Sequence, residues 1–200
     1  LNMVIAGIPW WTTDIGGFFG ANINDPEFHE LLVRWFEYGC FCPVMRLHGY
    51  RWPLQPQYGT TGGATCVSGA PNEVWSYTDQ VCEILSDYLR LRERMLPYIT
   101  ELMEEAHEKG TPVMRPLFYD FPEDKESWNV ETEYMFGPKV LVKPITDADA
   151  RETDVYLPGG ASWTNAWTGE TFEGGQKVHV AAPIEQIPLF TRDGYKLPMK

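Results

Sequence analysis

Residues 8–18 read IPWWTTDIGGF and residues 25–48 read DPEFHELLVRWFEYGCFCPVMRLH, and the order of elements in these two stretches decides the fold. Just before them, Met3 to Ile8 (MVIAGI) is almost wholly apolar and is closed by Pro9, the pattern of a strand buried on both faces. Asp14 and the Gly16-Gly17 pair behind it mark a strand end where backbone passes close to something. Asp25-Pro26 reads as a helix N-cap with proline in the first turn. Phe28, Leu31, Leu32 and Trp35 follow at i, i+3, i+4 and i+7, one apolar stripe of an amphipathic helix that Gly39 ends. Phe41 to Leu47 (FCPVMRL) then reads as a second buried strand, delivering Arg46 and His48 at its far end. Strand, acidic turn, helix, strand, basic turn is a βαβ unit of a parallel sheet.

Further along, a glycine-rich loop from Tyr58 to Pro71 is too long for a plain connection and is expected to line a site or pack on a neighbour. Val81, Leu85, Tyr88, Leu91, Ile99, Leu102 and Ala106 signal a long helix from Thr78 to Lys109, stopped by Gly110. Pro97 predicts a kink or break at Leu96, because it lacks the N–H and clashes with the preceding turn. After Gly110 short β-type runs recur: Val113 to Phe118, Tyr134 to Phe136, Val140 to Ile145, Asp154 to Leu157, Lys177 to Ala181 and Ile187 to Thr191, separated by Gly and Pro turns. The sequence therefore predicts an α/β part over residues 1–110 and a β-sandwich over residues 111–200.

Composition narrows the chemistry. The 200 residues carry a formal charge of −12, the wrong sign for nucleic acid or acidic lipid, whose phosphates are met mostly by Lys and Arg. Hydrophobic residues make up 44%, enough for a real core. The 8 Trp, 10 Tyr and 10 Phe, beside an acidic balance and many turn residues, suit a protein that handles neutral ring-shaped ligands, although aromatics also simply fill cores. Four cysteines do not make a disulfide scaffold in a chain this long, and they read as free core thiols. The four histidines are scattered without metal-ligand spacing, so neither a metal nor another cofactor is implied. No stretch approaches the ~18 to 20 apolar residues of a membrane span. The opening at Leu1, without an initiator Met or basic leader, reads as the middle of something longer.

In parallel α/β proteins ligand-handling residues sit at the carboxyl ends of strands. Asp14 and Arg46-x-His48 fall at such ends on consecutive strands and are expected to be neighbours on one rim. A carboxylate and an imidazole there can share the hydroxyls of a sugar. The competing account is that Arg46 and Asp14 pair to stabilise the rim while His48 is a satisfied buried histidine.

These residues resemble a known family. IPWWTTDIGGF, the helix LLVRWFEYG and FCPVMRLHG look like the second sequence signature of glycoside hydrolase family 31, chiefly α-glucosidases and α-xylosidases. LRLRERMLPY (89–98), Arg115-Pro116-Leu117, YMFGPKVLVKPI (134–145), YLPGGASWTNAWTGE and IPLFTRDG are similar to its last barrel helix, barrel exit and proximal C-terminal β-domain. The resemblance implies the last two strands and helices of a (β/α)8 (TIM) barrel followed by a β-sandwich. It also implies a retaining α-glycosidase, slightly nearer the xylosidase branch, acting on a neutral oligosaccharide or glycoside. Retention needs two carboxyls about 5 to 5.5 Å apart, and in the family both aspartates belong to motifs that precede the DIGGF segment. Neither motif occurs here, so no catalytic residue is assigned. By resemblance, His48 hydrogen-bonds the sugar, Phe18 packs on its pocket, and Asp14 and Arg46 hold the polar floor together. Lys143 departs from the family's usual apolar or small residue and is expected to snorkel along a strand edge.

The rival is a non-catalytic carbohydrate-binding or structural module, which would use Trp163 and Trp167 side by side on open surface. The alternative for those two indoles is burial between sandwich and barrel, against the helix of residues 78–109. The 200-residue chain alone is expected to be inactive, and an open parallel edge predicts a homo-oligomer that covers it.

Overall fold

The computed structural model describes residues 1–55, 60–61, 64–65 and 68–199. The elements are α1 (Asn2–Ile5), β1 (Phe19–Asn22), α2 (Pro26–Cys40), β2 (Tyr50–Gln55), the short β3 (Thr60–Thr61) and β4 (Ala64–Thr65), and β5 (Ser68–Ala70). Two long helices follow, α3 (Asp79–Arg94) and α4 (Leu96–Lys109). The remainder holds β6 (Met114–Pro116), α5 (Leu117–Asp120), β7 (Tyr134–Phe136), β8 (Val140–Val142), β9 (Glu152–Leu157), β10 (Ser162–Asn165), β11 (Thr171–Glu173), β12 (Gln176–Ala181) and β13 (Leu189–Arg192).

The parallel unit is present, but its strands lie further along the chain than expected. Met3 to Ile8 is not a buried strand: it holds the one-turn α1, with Met3, Ile5 and Ile8 exposed and Val4 buried. No described strand pairs with this run, so its backbone bonds are met locally, Ile5 N–H donating to the Leu1 carbonyl (3.1 Å) and Ala6 N–H to Asn2 (3.1 Å). Phe41 to Leu47 is also not a strand, apart from one parallel bridge between Leu47 and Ile15. Pro43 has no N–H to give a ladder, and the Arg92 guanidinium takes the carbonyls of Cys40 (2.7 Å), Cys42 (2.6 Å) and Pro43 (2.8 Å). The parallel pair is instead β1 with β2, and β5 adds to β2 antiparallel.

The helices follow the sequence closely. Asp25 caps α2, its carboxylate accepting from Glu27 N–H at 3.0 Å, and Thr78 caps α3 by accepting from Val81 N–H at 3.3 Å. The long helix breaks at Met95 with Pro97 in the first turn of α4, and Gly110 ends it at φ +71°. Of the glycine-rich loop, 58–59, 62–63 and 66–67 lie outside the described residues, while β3 pairs with β4.

The second half packs two sheets, a six-stranded one in the order β11-β10-β13-β8-β7-β6 and the β12-β9 pair. Alternate residues of the larger sheet serve two cores. Met135, Leu141 and Phe190 join Val155, Leu157 and Trp163 between the sheets, whereas Tyr134, Phe136, Val140, Val142 and Leu189 face the helices. That double burial explains why YMF and VLV are continuously apolar although their pairing is antiparallel. Strands β10 and β11 lie outside the β-type runs expected from the sequence. They form a hairpin whose bend is fixed by the Asn165 side chain, which accepts from Trp167 N–H (2.9 Å) and Thr168 N–H (3.2 Å).

Buried polar groups join the halves. Arg34 on α2 donates to Glu37 (3.1 Å) and to the carbonyls of Ala150 (3.1 Å) and Ala182 (2.7 Å), and the Tyr88 hydroxyl on α3 donates to Glu37 (3.1 Å). Cys40, Cys42 and Cys82 are free; burial pushes the Cys40 and Cys42 thiols up to about 12, and Cys66 lies outside the described residues. Among the described residues no helix is long and apolar enough to cross a membrane, and no cluster of His, Cys, Asp or Glu could hold a metal ion.

Candidate functional site

Two backbone segments run side by side to form the rim. Val44 N–H donates to the Trp11 carbonyl, Ile15 N–H to Arg46, and Tyr50 N–H to Phe18, each at 3.3 Å. Between these rungs Gly16, Gly17 and Gly49 stand at φ +81°, +87° and +94°, the left-handed region that favours glycine. A Cβ on Gly49 would fall on the carbonyl oxygens of Gly17 and Phe18, so the segments approach as closely as backbone allows. Helix α2 is pressed against them from behind, because Gly39 leaves room for Ile15, whose Cδ1 a Cβ would meet at 2.5 Å.

The four rim residues come together as two pairs. Arg46 Nη2 forms an ion pair with Asp14 Oδ1. The Phe18 and His48 rings lie 5.4 Å apart at 45° and line a cleft of about 500 Å³ with Leu47, Gly49, Tyr50, Asn72 and Glu73. Asp14 and Arg46 do not line that cleft. The pairing half of the structural account is therefore present, but the buried-histidine half is not: His48 is exposed, and among the described residues its ring nitrogens have no hydrogen-bond partner. Phe19 continues the aromatic surface, edge-on to Phe18 at 5.9 Å and stacked on Tyr50 at 6.3 Å.

Chemically the cleft offers a donor-acceptor imidazole beside flat apolar rings, a combination suited to a neutral polyol. The carboxylates beside it are engaged by neighbours. The Asp14 carboxylate is taken by Arg46, and the Ser76 hydroxyl donating to Glu73 at 2.9 Å holds that carboxyl below its ordinary value. A larger groove of about 1260 Å³, between Leu1–Ile5, α2 and residues 144–149, contains none of the four rim residues.

The profile of the glycosyl hydrolases family 31 TIM-barrel domain matches residues 1–102, and that of the family's C-terminal domain matches residues 110–197. The chain belongs to glycosyl hydrolase family 31. Within the family it is 39% identical over 199 residues to the alpha-xylosidase of Saccharolobus solfataricus, covering 100% of this chain and 25% of that protein. It is 35% identical over 195 residues to alpha-glucosidase 2 of Bacillus thermoamyloliquefaciens, covering 97% of this chain and 22% of that protein. Its fold superposes at a TM-score of 0.93 and 51% identity on the crystal structure of a family 31 alpha-xylosidase from a soil metagenome, complexed with xylose, over 98% of this chain and 29% of that one. The chain thus spans about a quarter of the length of the curated relatives it matches. The architecture is accordingly part of the family's TIM barrel followed by its C-terminal β-sandwich.

The two tryptophans of the rival reading do not form an exposed platform. Trp163 is fully buried inside the sandwich, 5.7 Å from Phe121 with its indole N–H on the Pro158 carbonyl, rather than against the long helices. Trp167 is half-buried, its indole N–H on Ile187. Lys143 does not snorkel to solvent freely: its Nζ donates to Thr132 (2.6 Å) and stands 3.6 Å from the buried Glu133. Burial pushes Glu133 up to about 7, against the pull of Tyr156 N–H and Lys143.

Sequence reasoning passed over Arg51, Asn72 and Tyr77 beneath the rim. Asn72 donates to the Gly49 carbonyl (3.1 Å) and accepts from the Tyr77 hydroxyl (2.5 Å). Period-two alternation in YRWPLQ places Arg51 on the face opposite Tyr50 and Trp52, and that was the available signal.

Proposed function

We propose that this chain is the carboxyl-terminal part of a retaining α-glycosidase that hydrolyses terminal α-linked xylose or glucose from oligosaccharides or glycosides. In this reading the aspartate nucleophile and the aspartate acid/base lie upstream of Leu1. Residues 1–110 contribute the last part of the catalytic barrel, and residues 111–200 form the sandwich that braces it. Asp14, Phe18, Arg46 and His48 contact or organise the sugar: His48 hydrogen-bonds its hydroxyls, Phe18 packs on the ring, and the Asp14–Arg46 pair holds the floor. The observation that carries the reading is the exposed His48 ring set against Phe18 over a cleft, with its nitrogens available to a ligand. The likeness to a xylose-complexed alpha-xylosidase favours xylose over glucose.

The test is turnover of aryl α-xyloside and aryl α-glucoside by the full-length protein that carries this chain. Faster turnover of the xyloside is the expected result; no turnover of either overturns the reading. The 200-residue chain by itself is expected to be inactive and to self-associate so that its open parallel edge is covered, and a monomer in sedimentation overturns the self-association.

A further inference from the structure

Arg51 is fully buried directly beneath the rim. Its Nη1 donates to the carbonyls of Gly17 (2.9 Å) and Tyr50 (3.2 Å), and its Nη2 to those of Ile15 (3.2 Å) and His48 (3.2 Å). Each terminal nitrogen therefore bonds both rim segments at once. Among the described residues no carboxylate pairs with this guanidinium, and its Nε has no partner. Its charge is met by four carbonyl dipoles, by the nearby Tyr77 hydroxyl and by the face of Phe28 on α2, 5.2 Å away.

A buried cation without a counter-carboxylate is costly to keep. What it provides here is a cross-link where the ladder is absent. The left-handed glycines of the rim take the backbone out of β pairing between the Ile15 and Tyr50 rungs, and the carbonyls left there turn inward to a single side chain. Gly16 has no Cβ because one would stand 2.5 Å from Arg51 Nη2.

We propose that Arg51 is the positioning residue of the rim, fixing the backbone that presents Phe18 and His48 to the sugar. The proposal rests on the reading of this rim as the sugar site. The planar fork is essential to it, since a lysine ammonium keeps the charge but gathers its donors on one atom and cannot span both segments.

The experiment is a double-mutant cycle in the full-length enzyme, measuring kcat and KM on aryl α-xyloside for Arg51→Lys, His48→Ala and the pair. Arg51→Lys alone is expected to lower kcat/KM by about tenfold, and the same change in the His48→Ala background by less than about threefold, because little is left to position. An equal loss in both backgrounds, or no loss in either, overturns the proposal. If His48→Ala itself leaves kcat/KM unchanged, the sugar-site reading fails and the proposal falls with it, a result distinguishable from failure of the cycle. Should Arg51→Lys not fold, Phe28→Leu serves, since it removes the ring face against the guanidinium while leaving the charge and the rim glycines in place. The same His48-dependent loss is expected, and a loss independent of His48 overturns the proposal.

Discussion

The rim and the sandwich solve the problem of holding backbone together in opposite ways. In the sandwich, β7, β8 and β13 lie in regular antiparallel register, and side chains alternate between two apolar cores. In the rim, pairing is reduced to separated rungs, glycines occupy left-handed positions, and the buried Arg51 and half-buried Arg92 collect the carbonyls that a ladder would have used. The sandwich closes Trp163 inside an apolar core, whereas the rim gives up regular pairing and exposes Phe18 and His48. Regularity and availability trade against each other along one chain.

The sharpest way to break the comparison is to strike each region at its own support. Trp163→Ala removes the largest fully buried side chain of the sandwich and is expected to cost about 3 to 5 kcal/mol in urea unfolding. A cost below about 1 kcal/mol would mean that the sandwich does not depend on apolar packing there. Gly49→Ala should act on the rim through backbone alone: a β-carbon at φ +94° clashes with two carbonyls, with an expected cost of about 1 to 3 kcal/mol and loss of sugar binding measured by calorimetry in the full-length protein. Retained affinity would show that the close approach of the two segments is dispensable.

The smallest effect concerns Glu133, a buried carboxyl of the sandwich half. Its carboxyl rises from an ordinary 4.5 to about 7 on folding, so the folded state holds a proton that the unfolded state has released across that interval. Its contribution to stability is therefore complete below about pH 4.5 and is lost as pH rises toward about 7. Glu133→Gln should flatten that part of the urea midpoint-against-pH curve, and an unchanged slope would assign the titration elsewhere.

Much of this was legible in the sequence because it rests on local rules. Asp25-Pro26, Thr78, Pro97 and Gly110 place helix ends through capping and backbone chemistry, and the structure follows them within a residue or two. In the second half most strands fall on the β-type runs of the sequence, but in the first half strand position was not legible, because an apolar run such as MVIAGI fixes neither pairing nor burial, and the pairing fell to Phe19–Asn22 and Tyr50–Gln55, which read as less apolar. Asp14, Arg46 and His48 were singled out from residue type and position, and Phe18 from the family resemblance. Arg51 was missed because a lone arginine in a strand reads as surface, and only the convergence of four carbonyls reveals otherwise.

Strands β6, β7 and β8 of the larger sheet are wetted on neither face. Tyr134, Phe136, Val140, Val142 and Leu189 belong to the same core as α3 and α4. A recombinant cut near Gly110, where the chain changes character, would thus pass along a seam in the text but through a party wall in the building. The sandwich expressed by itself would carry a bare aromatic and aliphatic face, and the helices would lose their floor. Chimeras between relatives should accordingly be joined so that residues 134–142 and 187–189 travel with the helices they cover.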